Sequence, residues 1–545
     1  MPGDGADPQP AQRLGPRARV ALAIHAIVGL ALCAGDTSVL ARAGEEPSFS
    51  ADSHSDWWEE GDGRVLPEYV AYPNRAGMVG LYNKAGVTET RGHPFFEPIG
   101  SNGRACVTCH QPANGMSVSV DSIQERWEKT QGKDPIFAAI DGSNCPSLPQ
   151  EQRASHSLLL ERGLFRIALP WPPKARDGSA IEPDFELEVV RDPTGCNTDA
   201  RYGIRASGEV SVFRRPRPFA NLKYVIGTER TDGTVAPIDR VFTPKGTATP
   251  FAVHPQTGLP VTMQIMADAR HLTLQSQVED AAIKHLQARE PVDRALVQKI
   301  VDFGMQLHAA QAFDHRIGSF LAEGMPEALG PYSLARNRPN VLGDNWDNPV
   351  FFDFDKWRVP APGDTPEQTA FRQSVARGYD LFFLRPFYIR DAMHINTTGI
   401  GNPSKRACAT CHNMQSTGMD LGTGWVDLGT TNLPWAKEPV QSEWNPNKPE
   451  LPLFKITCKE DRPQHLFLGR VIYTQDPGRA LITGKCYDVG AIVMQQFRAL
   501  SARAPYFSNG SARTLRELVD FYDRRFNIGY SEQERTDLAN FLSVL

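Results

Sequence analysis

The chain has 545 residues, is 41% hydrophobic and 22% charged, and carries a formal net charge of -5. That length exceeds what a single core fills, and the apolar content excludes a disordered chain. With no basic excess and no block of like charges, nucleic acid is excluded as a partner, while 45 glycines and 43 prolines predict long irregular connections.

Arg13, Arg17 and Arg19 precede the apolar run "VALAIHAIVGLALCAG", which is followed by Ala41-Arg42-Ala43. A basic start, a short apolar run and a small-x-small site describe a secretory signal over residues 1–43. The mature protein is then expected in the periplasm, with no membrane span after cleavage. The strip "SHSDWWEEGDG" that follows reads as a solvated tether.

Residues 104–112 read "RACVTCHQP", and residues 406–414 read "RACATCHNM". In C-x-x-C-H, two thiols on one helical turn can each add to a haem vinyl group, and the adjacent histidine sets an imidazole under the iron. Zinc would need four ligands at closed spacing, and a thioredoxin-like pair would not need the histidine. Cys106, Cys109 and His110 are therefore expected to hold one covalent c-type haem, and Cys408, Cys411 and His412 a second, with His110 and His412 on the irons. Cys33 leaves with the signal. Cys145, Cys196, Cys458 and Cys486 remain for disulfides in an oxidising compartment, with three pairings open; the closest in sequence joins Cys145 to Cys196 and Cys458 to Cys486.

Between the motifs, "FELEVV" and "GEVSVF" carry β-favouring residues and predict short strands in an inserted region between Phe185 and Phe242. The run "RRPRPF" (Arg214–Phe219) offers guanidinium groups to haem propionates or belongs to the surface. Phe371, Val375, Tyr379 and Phe382 fall at helical spacing just before the second motif. Near the end, Thr514 with Glu517 and Ser531 with Glu534 have capping-box spacing. They open two amphipathic helices whose apolar faces are Leu515, Leu518, Val519 and Tyr522, then Leu538, Phe541, Leu542 and Leu545.

The stretches "ARGYDLFFL", "CATCHN", "RAPYFSNGSARTLRELVDFY" and "ERTDLANFLSVL", with "RACVTCHQP", "RRPRPFANLKYV" and "LQSQVEDA" in the first half, resemble the bacterial di-haem cytochrome c peroxidase and MauG family. The resemblance implies a mainly α fold: two cytochrome-c-like haem domains, 44–360 and 361–545, with long loops and an inserted region containing short β-strands. It implies that the first haem reacts with hydrogen peroxide. The second takes electrons from a periplasmic donor such as a small cytochrome c or a cupredoxin, with calcium between the domains and homodimers among relatives. For the second iron's sixth ligand it points to Tyr522, with Met494 as the fallback; Tyr522 fits a core aromatic equally well.

Three positions depart from the family pattern. The histidine expected sixteen residues after His110 is Arg126, which leaves the first iron open unless His156 or His285 reaches it. The family's distal glutamine aligns with Gln277, but the acid expected ten residues later is Gln287, and an amide cannot move a proton. His285 or Glu290 are the substitutes in reach. The inter-haem tryptophan is replaced by Thr231. A peroxide-using oxidoreductase therefore leads, beside a dioxygen-using di-haem oxygenase and a non-enzymatic electron carrier.

Overall fold

The computed structural model describes residues 56–175, 177–226, 228–229, 235–236, 262, 264–335, 354–412, 425–432 and 448–545. The signal segment and Thr231 lie outside them. The fold is mixed, 31% helical and 20% strand, with several antiparallel sheets and no cytochrome-like fold identified, which corrects the mainly α expectation. The physical reason is visible in Gly77–Asn83 and Leu307–Asp314, buried along almost their whole length. Burial on both faces removes the alternation of apolar and polar residues that announces a sheet, and Leu307–Asp314 buries His308, Gln311 and Asp314 as well.

In the first half, strands β1 (Tyr69–Pro73) and β2 (Gly77–Asn83) precede the first motif and helix α1 (Val120–Thr130). Strand β3 (Phe165–Pro170) follows, and the inserted region then contributes β4 (Phe185–Arg191) and β5 (Glu209–Arg214). Helices α2 (Leu274–Lys284) and α3 (Arg294–Gln306) lead into β6 (Leu307–Asp314). In the second half, α4 (Pro366–Leu384) is followed by β7 (Phe387–Ile389), β8 (Ser404–Arg406) and the second motif. Strands β9 (Trp425–Val426), β10 (Leu453–Cys458), β11 (Val471–Thr474) and β12 (Ile492–Val493) precede α5 (Leu515–Phe526) and α6 (Glu532–Ser543).

Strand β6 pairs with β2 and β2 with β1, placing His308 opposite Tyr82 and Tyr82 opposite Tyr69. Strands β4, β10 and β11 make a three-stranded sheet that joins the inserted region to the second half, with Ile456 opposite both Leu187 and Ile472. Phe185, Phe454, Ile456 and Ile472 on its buried side pack with Val210 of β5. Disulfides Cys145–Cys196 and Cys458–Cys486 stand as the closest-in-sequence pairing had them.

Helices α4, α5 and α6 follow their sequence signals. Ser531 and Glu534 close a full capping box on α6. Thr514 caps α5 through the Glu517 amide, but the Glu517 carboxylate reaches the Arg513 amide instead of the cap residue. Phe371, Val375, Tyr379 and Phe382 are buried against Leu538, Phe541 and Leu542. Where α4 crosses α6, a Cβ on Gly378 would stand 2.0 Å from the Asp537 carbonyl oxygen, so only glycine allows that approach. Ser374 and Arg377 then bond the Asp537 carboxylate from the facing helix.

Candidate functional site

The two motifs fold alike because their repeated residues close the same turn. Ala105 N donates to Thr108 Oγ1 at 3.1 Å and Ala407 N to Thr410 Oγ1 at 3.2 Å, and the histidine amides return to Cys106 O and Cys408 O. The repeated threonine thus holds each cysteine pair on one turn. All four cysteines are free thiols. Burial pushes Cys106, Cys109 and Cys408 up to about 12.

Each motif opens on an apolar cavity. The first encloses about 1320 Å³ of empty space, its open mouth included, between Cys106, Cys109 and His110 and the α2 residues Gln277, Val278 and Ala281. The second encloses about 1460 Å³ between Cys408, Cys411 and His412 and the side chains of Phe387, Ile389, Met494 and Tyr522. Phe165 and Ile167 on β3 and, from the inserted region, Arg214–Phe219 wall the first cavity.

The histidines differ in what faces them. His110 Nδ1 donates to Met116 O at 3.1 Å, which fixes the tautomer and leaves Nε2 as an unshared acceptor with no hydrogen-bond partner. Burial pulls His110 down to about 4, so the imidazole is neutral. His412 Nε2 instead lies 3.4 Å from Tyr522 Oη. Tyr522 therefore approaches the nitrogen that a bound iron would occupy. Met494 lines the same cavity, and its carbonyl accepts from Arg217 at 2.6 Å.

Between the cavities stands a group of arginines. Arg214 is spent on Asp268 and Asp476. Arg215 and Arg217 on the first wall and Arg503 on the second have no carboxylate partner among the described residues and donate only to backbone carbonyls. Arg217 spans both sites, reaching Met266 O on one side and Val493 O and Met494 O on the other. Burial, joined for Arg215 and Arg217 by the Arg503 charge, pulls Arg215 down to about 9 and Arg217 to about 10; burial alone takes Arg503 to about 10. Buried cations without anions are costly, and a dianionic cofactor edge is what this arrangement lacks. Free thiol pairs, oriented imidazoles, apolar walls and unpaired guanidiniums fit a covalent haem in each cavity. Among the described residues no group of three His, Cys, Asp or Glu side chains gathers, and a haem iron, which takes one or two protein donors, does not require one.

The distal candidates separate. Gln277 and His285 both line the first cavity. Gln287 does not: it is exposed, with φ at 55°, and its carbonyl accepts from the Ser101 amide. The turn ending α2 carries it away from the wall. Glu290 is exposed, and His156 is buried elsewhere, bonded to Gly142 O and Gln150 O. Arg126 pairs with Asp134 and Glu59 and lines neither cavity.

Three groups were not read from the sequence. Asp141 Oδ2 lies 2.6 Å from His285 Nδ1, and its other oxygen meets Arg104, which is fully buried. Desolvation raises the Asp141 pKa, but the Arg104 charge and the His285 hydrogen bond outweigh it and hold the carboxyl below its usual value. No local signal joins residues 104, 141 and 285. Glu60 accepts from Thr108 Oγ1, and Trp58 exchanges hydrogen bonds with Gln111. From residue 56 the acidic strip is therefore part of the first site and not a tether; the paired tryptophans were the available sign. Arg503 is the third. Comparison with protein-family models, curated proteins and solved structures finds no match.

Proposed function

We propose that the protein is an exported, periplasmic oxidoreductase carrying two covalent c-type haems, reducing hydrogen peroxide at the first cavity with electrons received at the second. The observation that carries the reading is the asymmetry of the two imidazoles: His110 Nε2 is left open, whereas His412 Nε2 faces Tyr522. An open site admits an oxidant, and a site closed by a second ligand suits electron transfer. The sequence resemblance points the same way.

Haem bound at His110 would supply the redox-active iron. His285 supplies the proton handling that Gln287 cannot. Asp141 accepts its Nδ1–H, so Nε2 carries the lone pair, makes no hydrogen bond and belongs to the cavity wall. It takes a proton from one peroxide oxygen and returns it to the other as the O–O bond breaks. Two electrons from the donor and two protons from solvent complete the conversion of one peroxide to two waters. Gln277, on the same face of α2, orients the oxidant by hydrogen bonding.

The test is a low-temperature electron paramagnetic resonance spectrum of the oxidised protein, before and after one equivalent of peroxide. A high-spin signal consumed by peroxide beside a persistent low-spin signal is expected. Two low-spin signals that ignore peroxide would instead identify an electron carrier, and consumption by dioxygen after reduction, with oxygen incorporated into a substrate, an oxygenase.

A further inference from the structure

We infer that the outer face of the β7–β8 hairpin is the docking surface for a small acidic one-electron carrier protein that feeds the second cavity; the inference rests on a haem being attached there. Strands β7 and β8 pair with Tyr388 opposite Lys405 and Ile389 opposite Ser404. Because successive side chains on a strand alternate faces, Phe387 and Ile389 turn inward and line the second cavity, while Tyr388 and Arg390 turn outward with Lys405. Ala407 and Cys408 follow β8 directly and line the same cavity. A molecule resting on Tyr388 is thus separated from the cofactor space by the thickness of one two-stranded ribbon.

The charge on this wall runs against that of the chain. The whole protein carries -5, yet residues 384–406 hold Arg385, Arg390, Lys405 and Arg406 against a single acid, Asp391. Arg385 is paired with Glu534 at 3.2 Å. Arg390 and Lys405, on the outer face, make no ion pair among the described residues, whereas Arg406, opposite Phe387, belongs to the inner face. Leu384, Tyr388 and Ile400 are 59%, 51% and 42% exposed in the same stretch. Exposed apolar groups beside unpaired cations suit a brief encounter with an acidic protein, in which charge steers and the apolar contact is small. Each encounter moves one electron inward; the carrier is oxidised by one electron, the second haem is reduced by one, and no atom or proton is transferred.

The experiment uses the full protein, with covalent haem first counted by absorption after denaturation. Stopped-flow reduction by an ascorbate-reduced acidic blue-copper protein is then followed at low and high salt for the native chain and for the double variant Arg390→Glu/Lys405→Glu. The native rate is expected to fall steeply with salt, and charge reversal to lower it at least about tenfold at low ionic strength, with the two rates converging as salt is raised. Reduction by dithionite, which needs no docking face, stays unchanged, as does peroxide consumption by the pre-reduced protein. With two haems present, an unaltered rate and salt slope in the double variant, or faster reduction by a basic carrier than by the acidic one, overturns the docking surface alone. A haem count lacking the Cys408–Cys411 attachment overturns the functional reading and the docking surface together.

Discussion

The first and second cavities share a seven-residue motif, a threonine-closed turn and a nearly equal volume, yet their surroundings differ. At the first, Arg104 is sealed against Asp141, His285 stands on the wall, and His110 Nε2 is open. At the second, Tyr522 covers the imidazole and a basic hairpin separates the cavity from solvent. Under the function proposed above, the motif would provide attachment, and the residues around it would decide whether the attached group meets an oxidant or a partner protein.

The strongest way to break the comparison is His110→Gly. It is expected to abolish the reaction with peroxide while leaving the low-spin signal of the second site, and simultaneous loss of both signals would show the first site to be needed for folding. Next come His285→Gln and Asp141→Asn, each expected to slow peroxide consumption by about 10²–10⁴-fold at unchanged haem content. Equal rates in the native protein and His285→Gln would remove the proton relay. Tyr522→Phe should convert the second iron's low-spin signal to high-spin at a stability cost of about 1 kcal/mol, and an unchanged spectrum would hand the ligand role to Met494.

The smallest effect concerns pH. Burial raises Glu60 from a usual 4.5 to about 7. The neutral form is the one the fold favours, so its contribution is full below about pH 4.5 and is lost as the pH climbs through 7. The melting temperature of the native protein should therefore carry a downward slope of roughly 2–4 °C across that window, which Glu60→Gln flattens. An identical slope in the variant would assign it to other groups.

What the sequence made legible was whatever depends on neighbours along the chain. The two like Cys-x-x-Cys-His turns, the caps of α5 and α6 and the buried face of α4 all follow from short spacings, and the strands at "FELEVV" and "GEVSVF" formed as read. Strands β2 and β6 were missed because burial on both faces erases the period of two. The site divided along the same line. Gln277 and His285 reach the cavity through the regular face of α2, but Gln287 lies past its end, where a left-handed residue redirects the chain. Asp141, Arg104 and His285 meet only through tertiary folding, and Arg215, Arg217 and Arg503 acquire meaning only when their lack of carboxylates is seen.

Those three arginines bear on how the molecule is made. A polypeptide that gathers uncompensated guanidiniums between two empty hollows repels itself at the place where its halves must close. Under the proposed reading the propionates of two haems would neutralise them, and maturation and the last stage of folding would then be one event. Without such anions the seam would stay partly open and exposed to proteolysis, and quality control would follow from electrostatics alone.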